Sequence, residues 1–248
     1  MTARRTGLLP SPGVTVLCAT LFVLLAVGVI SRDGAPFPVE LSLHRWAVNH
    51  RPDAAVGCAR ALTATGTGLI PYLCAVAAGL IAGRDARRRL CAAAGVLGFL
   101  GLAQAARYGL LHLIGRPRPA TADWATHASG FAFPSGHATT SALAAGLLAW
   151  AVTSRARPAP ARIGCALLGC WAAAVGLSRI HLGVHWAGDV LGGWLFALAW
   201  LGLGAALIPL PRLLPRQRPP YPRRRGRSDA GRSGQGGHNS QTCGARPE

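Results

Sequence analysis

Two short runs bring together residue types able to do acid–base and nucleophilic chemistry on an anion. In Ser178-Arg179-x5-His185-x3-Asp189, the last two positions are four apart and share a face if helical. Asp189 can then accept a hydrogen bond from one ring nitrogen of His185, fixing the tautomer and leaving the other nitrogen free to attack. Arg179 adds a planar fork that matches phosphate oxygens. The other run, Pro134-Ser135-Gly136-His137, reads as a helix start, with Ser135 a good N-cap. Gly136 lets another group come close to the backbone, and the first amides of a helix attract anions. This run is either an anion cradle with the His137 imidazole beside it or a plain cap with an interfacial histidine. Arg116-Pro117-Arg118-Pro119 offers two more guanidinium groups on a stiff segment, or a turn that anchors a helix to lipid headgroups. His181, His185 and Asp189, with His137 as a fourth, also fit a metal-dependent hydrolase site.

These residues must be held by elements the rest of the chain supplies. The 248 residues are 51% hydrophobic and 14% charged, with mean hydropathy +0.33. Soluble domains carry about 25% charged residues, so the composition speaks against an ordinary soluble protein and against a disordered chain. Apolar stretches long enough to cross a bilayer occur at 12–31, 61–83, 90–113, 135–153, 163–182 and 187–209. The expected fold is therefore an all-α integral membrane bundle of six transmembrane helices. The domains are an N-terminus at 1–11, a membrane domain at 12–210, and a disordered Arg/Pro/Gly-rich tail at 211–248.

All 26 basic residues are Arg. If six spans alternate, 18 of them fall on one side and seven on the other, with Arg107 inside a span. The positive-inside rule then puts both termini in the cytoplasm. Every candidate residue except Arg107 gathers at the outer edge, whereas a six-helix transporter or scaffold would string its polar groups through the spans. Clustering of the Arg residues between apolar runs makes them a topology signal, so no nucleic-acid partner is expected. The segment 41–50 is either a loop or a surface helix with Leu41, Leu43, Trp46 and Val48 on one face. Trp124, Trp150 and Trp186 read as membrane-interface markers, Gly66 and Gly68 as close-packing positions, and His44, His50 and His127 as loop residues. His181 is expected beside the site or at the interface. Seven scattered Cys without a CxxC pair read as small hydrophobes.

The motifs resemble those of the type 2 phosphatidic acid phosphatase superfamily, KxxxxxxRP, PSGH and SRxxxxxHxxxD. The second is complete at Pro134–His137 and the third at Ser178–Asp189. The first keeps Arg118-Pro119 but has Leu111 where the family has Lys. Arg107, one turn earlier, is the expected substitute, with His112 next. The resemblance implies a phosphatase working through a phosphohistidine. His185 is the nucleophile, Asp189 its partner and His137 the general acid, while Arg118, Arg179, Ser135 and Gly136 bind phosphate. It implies no metal or other cofactor. The membrane setting implies a lipid phosphate or polyprenyl diphosphate substrate met at the outer face of the cell membrane, undecaprenyl diphosphate or phosphatidic acid among the candidates. No obligatory protein partner is evident beyond membrane lipids.

Overall fold

The computed structural model describes residues 9–207. Among these residues the fold is all-α, without strands: α1 Pro12–Ile30, α2 Pro38–Asn49, α3 Asp53–Ala64, α4 Leu69–Ala82, α5 Ala86–Ile114, α6 Gly136–Arg155, α7 Pro158–His181 and α8 Ala187–Leu207. Local chemistry sets several ends. Ser11 accepts from the Val14 amide and Pro12 opens α1. The Asp85 side chain caps α5, and Gly115 ends that helix in the left-handed region at φ 63°, a conformation that costs glycine little. The expected tail at 211–248 and Cys243 lie outside the described residues. The six cysteines within them are free.

Helices α1, α5, α7 and α8 are long and apolar enough to cross a membrane, and α3 with α4 supplies a fifth such span if the bent pair counts as one. The straight span expected at 61–83 is thus corrected to two helices bent by 48°. The break lies at 65–68, where Gly68 adopts φ 65°. Gly68 therefore serves a turn. A Cβ on Gly66, by contrast, would strike Val175 of α7, so only Gly66 is a packing glycine. Alone, the 14 residues of α4 extend about 21 Å, short of a hydrocarbon layer about 30 Å thick.

The α6 helix, expected to span, is not among the helices that pass on hydropathy. Its sequence GHATTSALAAGLLAWAVTSR is rich in small and hydroxylated residues, and it contacts α4, α5, α7 and α8. Its neighbours are other helices, so close approach matters more there than a greasy exterior. A Cβ on Gly146 would collide with Leu201 of α8, and one on Gly193 of α8 would press on the first turn of α6. The outward-facing helices are the reverse, with Val16, Leu17 and Leu24 of α1 exposed. The core beneath the site contains Phe22, Val29, Leu100, Phe133, Leu143 and Phe196.

Residues 41–49 are helical and belong to α2, which His50 ends. On α2, Glu40, His44 and Ala47 are buried while Val39, Leu43 and Trp46 are exposed. The helix therefore has a face toward the protein and an apolar face away from it. Trp46 stacks on His50, and His44 is no loop residue, since it pairs with Asp123 and packs on Trp186.

Candidate active site

The end of α5, the start of α6, the end of α7 and the start of α8 meet at one end of the bundle. His185 lies in the short connection between α7 and α8, 2% exposed, and Asp189 in the first turn of α8 is fully buried. Nδ1 of His185 is 3.3 Å from Asp189 Oδ2, and that oxygen also accepts the Trp186 amide at 2.8 Å. The other ring nitrogen, Nε2, lies 2.8 Å from Arg118 Nη1. A guanidinium can only donate, so Nε2 carries the lone pair and Nδ1 the proton. This is the tautomer a nitrogen nucleophile needs. Burial, followed by the charges of Arg118 and Arg179, holds His185 well below the ordinary imidazole range, which keeps the ring neutral.

Arg118 is itself fixed by backbone carbonyls, those of Gly130 at 3.0 Å, Ser129 at 2.9 Å and Val184 at 2.9 Å. Burial pulls its guanidinium below the usual value, with Asp189 opposing that and Arg107 adding to it. Arg179 on α7 is buried, and its Nη1 donates to Thr63 of α3 at 3.1 Å. Its Nε has no partner among the described residues.

Ser135 occupies the N-cap position of α6, but its hydroxyl makes no capping bond. The oxygen is buried and unpartnered, so the expected cap is corrected to a free hydroxyl at an uncapped helix start. The Ser135 amide donates to the Asp189 carbonyl at 2.9 Å, which ties the two motifs together. His137 Nε2 lies 3.4 Å from Thr67 Oγ1, in the break between α3 and α4. Arg107 reaches the same corner. Its guanidinium carbon would be 3.5 Å from a Cβ on Gly136, and its Nε donates to Gln104 Oε1 at 3.1 Å. Gln104 in turn donates to Thr140. Beside them is a cavity of about 470 Å³ lined in part by Thr67, Tyr72, Gln104, Arg107, Tyr108 and Thr140.

All eight candidate residues are therefore at this end of the bundle, Arg107 included. His112 is not part of the site, because it is exposed and its ring meets Tyr108 and Phe131. Trp186 is corrected from an interface marker to a buried support, with Nε1 donating to the Pro117 carbonyl at 3.1 Å. His181 is half-buried with an unpartnered Nε2. Among the described residues, no three His, Cys, Asp or Glu side chains converge as metal ligands would. Sequence reasoning missed Glu40. It is 3% exposed and pairs with Arg116 at 2.6 Å. A lone carboxylate in the first turn of an amphipathic helix was the available signal.

Comparison with known proteins matches residues 90–212 to the PAP2 superfamily model. The decaprenylphosphoryl-5-phosphoribose phosphatase of Mycolicibacterium smegmatis is 36% identical over 150 residues, which cover 59% of this chain and 75% of the relative. The chain belongs to the PAP2 superfamily. Its fold matches the crystal structure of a transmembrane PAP2-type phosphatidylglycerolphosphate phosphatase from Bacillus subtilis, with a TM-score of 0.64 and 25% identity over 82% of this chain and 98% of that one. It is a membrane protein and a phosphatase. The matched region contains His185, Asp189, Ser135, His137, Arg118 and Arg179, and a non-catalytic transporter or scaffold no longer describes the chain.

Proposed function

We propose that this PAP2 phosphatase hydrolyses a lipid phosphate or polyprenyl diphosphate at the outer face of the cell membrane, through a phosphohistidine on His185. The observation that carries this reading is the opposed pair of contacts on the His185 ring. Asp189 holds Nδ1, while Arg118 points at Nε2, where the phosphoryl oxygens would gather. Arg118, Arg179, Arg107, the free Ser135 hydroxyl and the Gly136 amide present donors to those oxygens, and such donors stabilise charge that develops in transfer.

In the first step Nε2 forms a bond to phosphorus as the bond to the leaving oxygen breaks, and His137 gives that oxygen a proton. In the second, water attacks phosphorus, His137 takes its proton, the P–N bond breaks and inorganic phosphate leaves. Asp189 balances the positive charge on His185 between the steps. Arg107 takes the place of the motif Lys, absent here at Leu111, because its guanidinium lies against Gly136. The cavity beyond His137 and Thr67 lies on the leaving-group side. The surrounding guanidinium groups suit an anion and oppose a metal cation, so a metal-free reaction is favoured.

The topology belongs to the same reading. Six spans, with α3–α4 as a broken one and α6 as a central one, leave both termini cytoplasmic and the site outside. Residues 12–210 form the membrane domain, with 1–11 and 211–248 as cytoplasmic ends. The lipid tail stays among the helices while the headgroup meets the site. The relatives act on a decaprenylphosphoryl phosphoribose and on phosphatidylglycerolphosphate by name, and both classes join undecaprenyl diphosphate and phosphatidic acid as substrates to test. Detergent-purified protein is offered all four, with and without EDTA, beside His185→Ala. Phosphate release that survives EDTA and disappears in the variant is expected. Release abolished by EDTA would overturn the metal-free mechanism.

A further inference from the structure

Arg116 is two residues from Arg118 but behaves differently. It is fully buried, and its guanidinium is divided between two carboxylates. Nη1 lies 2.7 Å from Asp189 Oδ1 and 3.1 Å from Glu40 Oε1, and Nη2 lies 2.6 Å from Glu40 Oε2. Its Nε donates to the Gly34 carbonyl at 3.2 Å. Glu40 is equally committed, since Oε2 accepts the Phe37 amide at 2.7 Å and Oε1 accepts the Gly188 amide at 2.8 Å. Gly188 directly precedes Asp189, and a Cβ there would collide with Glu40 Oε1. One carboxylate on α2 therefore joins the end of α5 to the first turn of α8.

We propose that Glu40 is a positioning residue for the His185–Asp189 pair. By sharing Arg116 it holds Asp189 in place and leaves part of that carboxylate's charge for His185. The proposal rests on His185 being the nucleophile.

The charge count gives the reason. Glu40 and Asp189 are two negative groups around one guanidinium, so the cluster faces His185 with a net negative charge. Phosphorylation makes the ring cationic, and the cluster then becomes neutral as a whole. Without the Glu40 charge, Arg116 would have Asp189 as its sole counter-ion and would neutralise it. In a buried site of low dielectric, that loss falls directly on the developing imidazolium. A second contact from the same helix lies on the same side. His44, one turn beyond Glu40, has Nε2 3.0 Å from Asp123 Oδ2 and its ring 5.1 Å from that of Trp186, the neighbour of His185.

The test uses the full chain in detergent with Glu40→Gln and Glu40→Asp. On a substrate the wild type turns over, Glu40→Gln is expected to lower kcat about tenfold or more while KM stays within about twofold, as for an interaction felt mainly in the transition state. Its acid limb moves to lower pH, because a negative charge near His185 has gone while Arg118, Arg179, Arg107 and His137 still face the ring from the other side. Glu40→Asp keeps the charge on a shorter arm, so it restores the acid limb and part of kcat. A Glu40→Gln enzyme with wild-type kcat and pH profile would overturn the proposal. So would a loss that merely tracks the folded fraction, with no shift of the limb.

If Glu40→Gln is not recovered folded, Glu40→Asp decides. Lower kcat with the limb in place supports the proposal, and wild-type kcat overturns it. If the wild type releases phosphate from no lipid, the phosphatase reading of these substrates has failed. The Glu40 link is then read from ¹⁵N NMR titration of the His185 ring. A ring that protonates at lower pH in Glu40→Gln supports the link, and an unmoved ring overturns it.

Discussion

His185 has two sides that both use arginine and are opposite in state. On the Nδ1 side, Asp189, Arg116 and Glu40 form a closed set in which each charge has a partner at hydrogen-bond distance. On the Nε2 side, Arg118, Arg179, Arg107 and Ser135 meet without any carboxylate, and Ser135 Oγ and Arg179 Nε are unpartnered among the described residues. A closed ion cluster costs desolvation and holds geometry. An open set of donors waits for an anion. Whether a guanidinium is committed to the protein's own charges is thus decided by the carboxylates beside it, as Arg116 and Arg118 illustrate from either side of one proline.

The strongest way to break this comparison is to remove the ring between the two sides. His185→Ala is expected to lower phosphate release by about 10⁴-fold or more, as loss of a nucleophile does elsewhere. Residual turnover near wild type would mean that the two sides do not serve this ring.

Exchanging one arginine at a time sharpens the contrast. Arg116→Ala leaves Glu40 and Asp189 buried with no counter-ion, and a cost of about 3–5 kcal/mol is expected in thermal or denaturant unfolding. Arg118→Ala loses bonds to the carbonyls of Gly130, Ser129 and Val184 but strands no buried carboxylate, so it should cost less stability than Arg116→Ala, while removing a proposed phosphate donor should lower kcat by about 10²–10³-fold. Equal effects of the two on stability would erase the distinction.

Arg107→Ala comes next, with an expected loss of roughly tenfold or more in kcat/KM if Arg107 stands in for the missing Lys. An unchanged enzyme would remove that role, and Leu111→Lys would then be the variant expected to gain activity.

The smallest effects are shifts with pH. As the proposed nucleophile His185 must be neutral, and its burial with Arg118 and Arg179 nearby lowers its pKa well below 6.5. Protonation therefore silences it only as pH falls through that lowered value, so its acid limb lies below pH 6.5. Removing a positive charge in Arg118→Ala should raise the limb, the opposite of removing the negative charge of Glu40. Initial-rate profiles on one lipid would check both signs.

Much of the fold was legible because apolar stretches announce helices without knowledge of their neighbours. The helices α1, α5, α6, α7 and α8 lie within a few residues of the expected stretches. The span at 61–83 was misread because alanines and leucines continue on both sides of 65–68, and hydropathy does not register a backbone turn. On hydropathy α6 falls short, since its surroundings are protein. In the site, Asp189 beside His185 was legible from helical spacing. The closeness of Ser135 to Asp189 was not, because a backbone bond between two helix starts leaves no pattern in side-chain types.

By itself the sequence determined an all-α membrane chain, the order of its apolar segments, the family motifs and the absence of the motif Lys. These follow from local composition and spacing. Only the tertiary structure decided which arginine is held between carboxylates and which lies against His185, that Ser135 leaves its helix uncapped, and that Glu40, 149 residues before Asp189, shares its counter-ion. The physical reason is that the role of a charge depends on what lies within about 4 Å, and the chain brings those partners together only by folding.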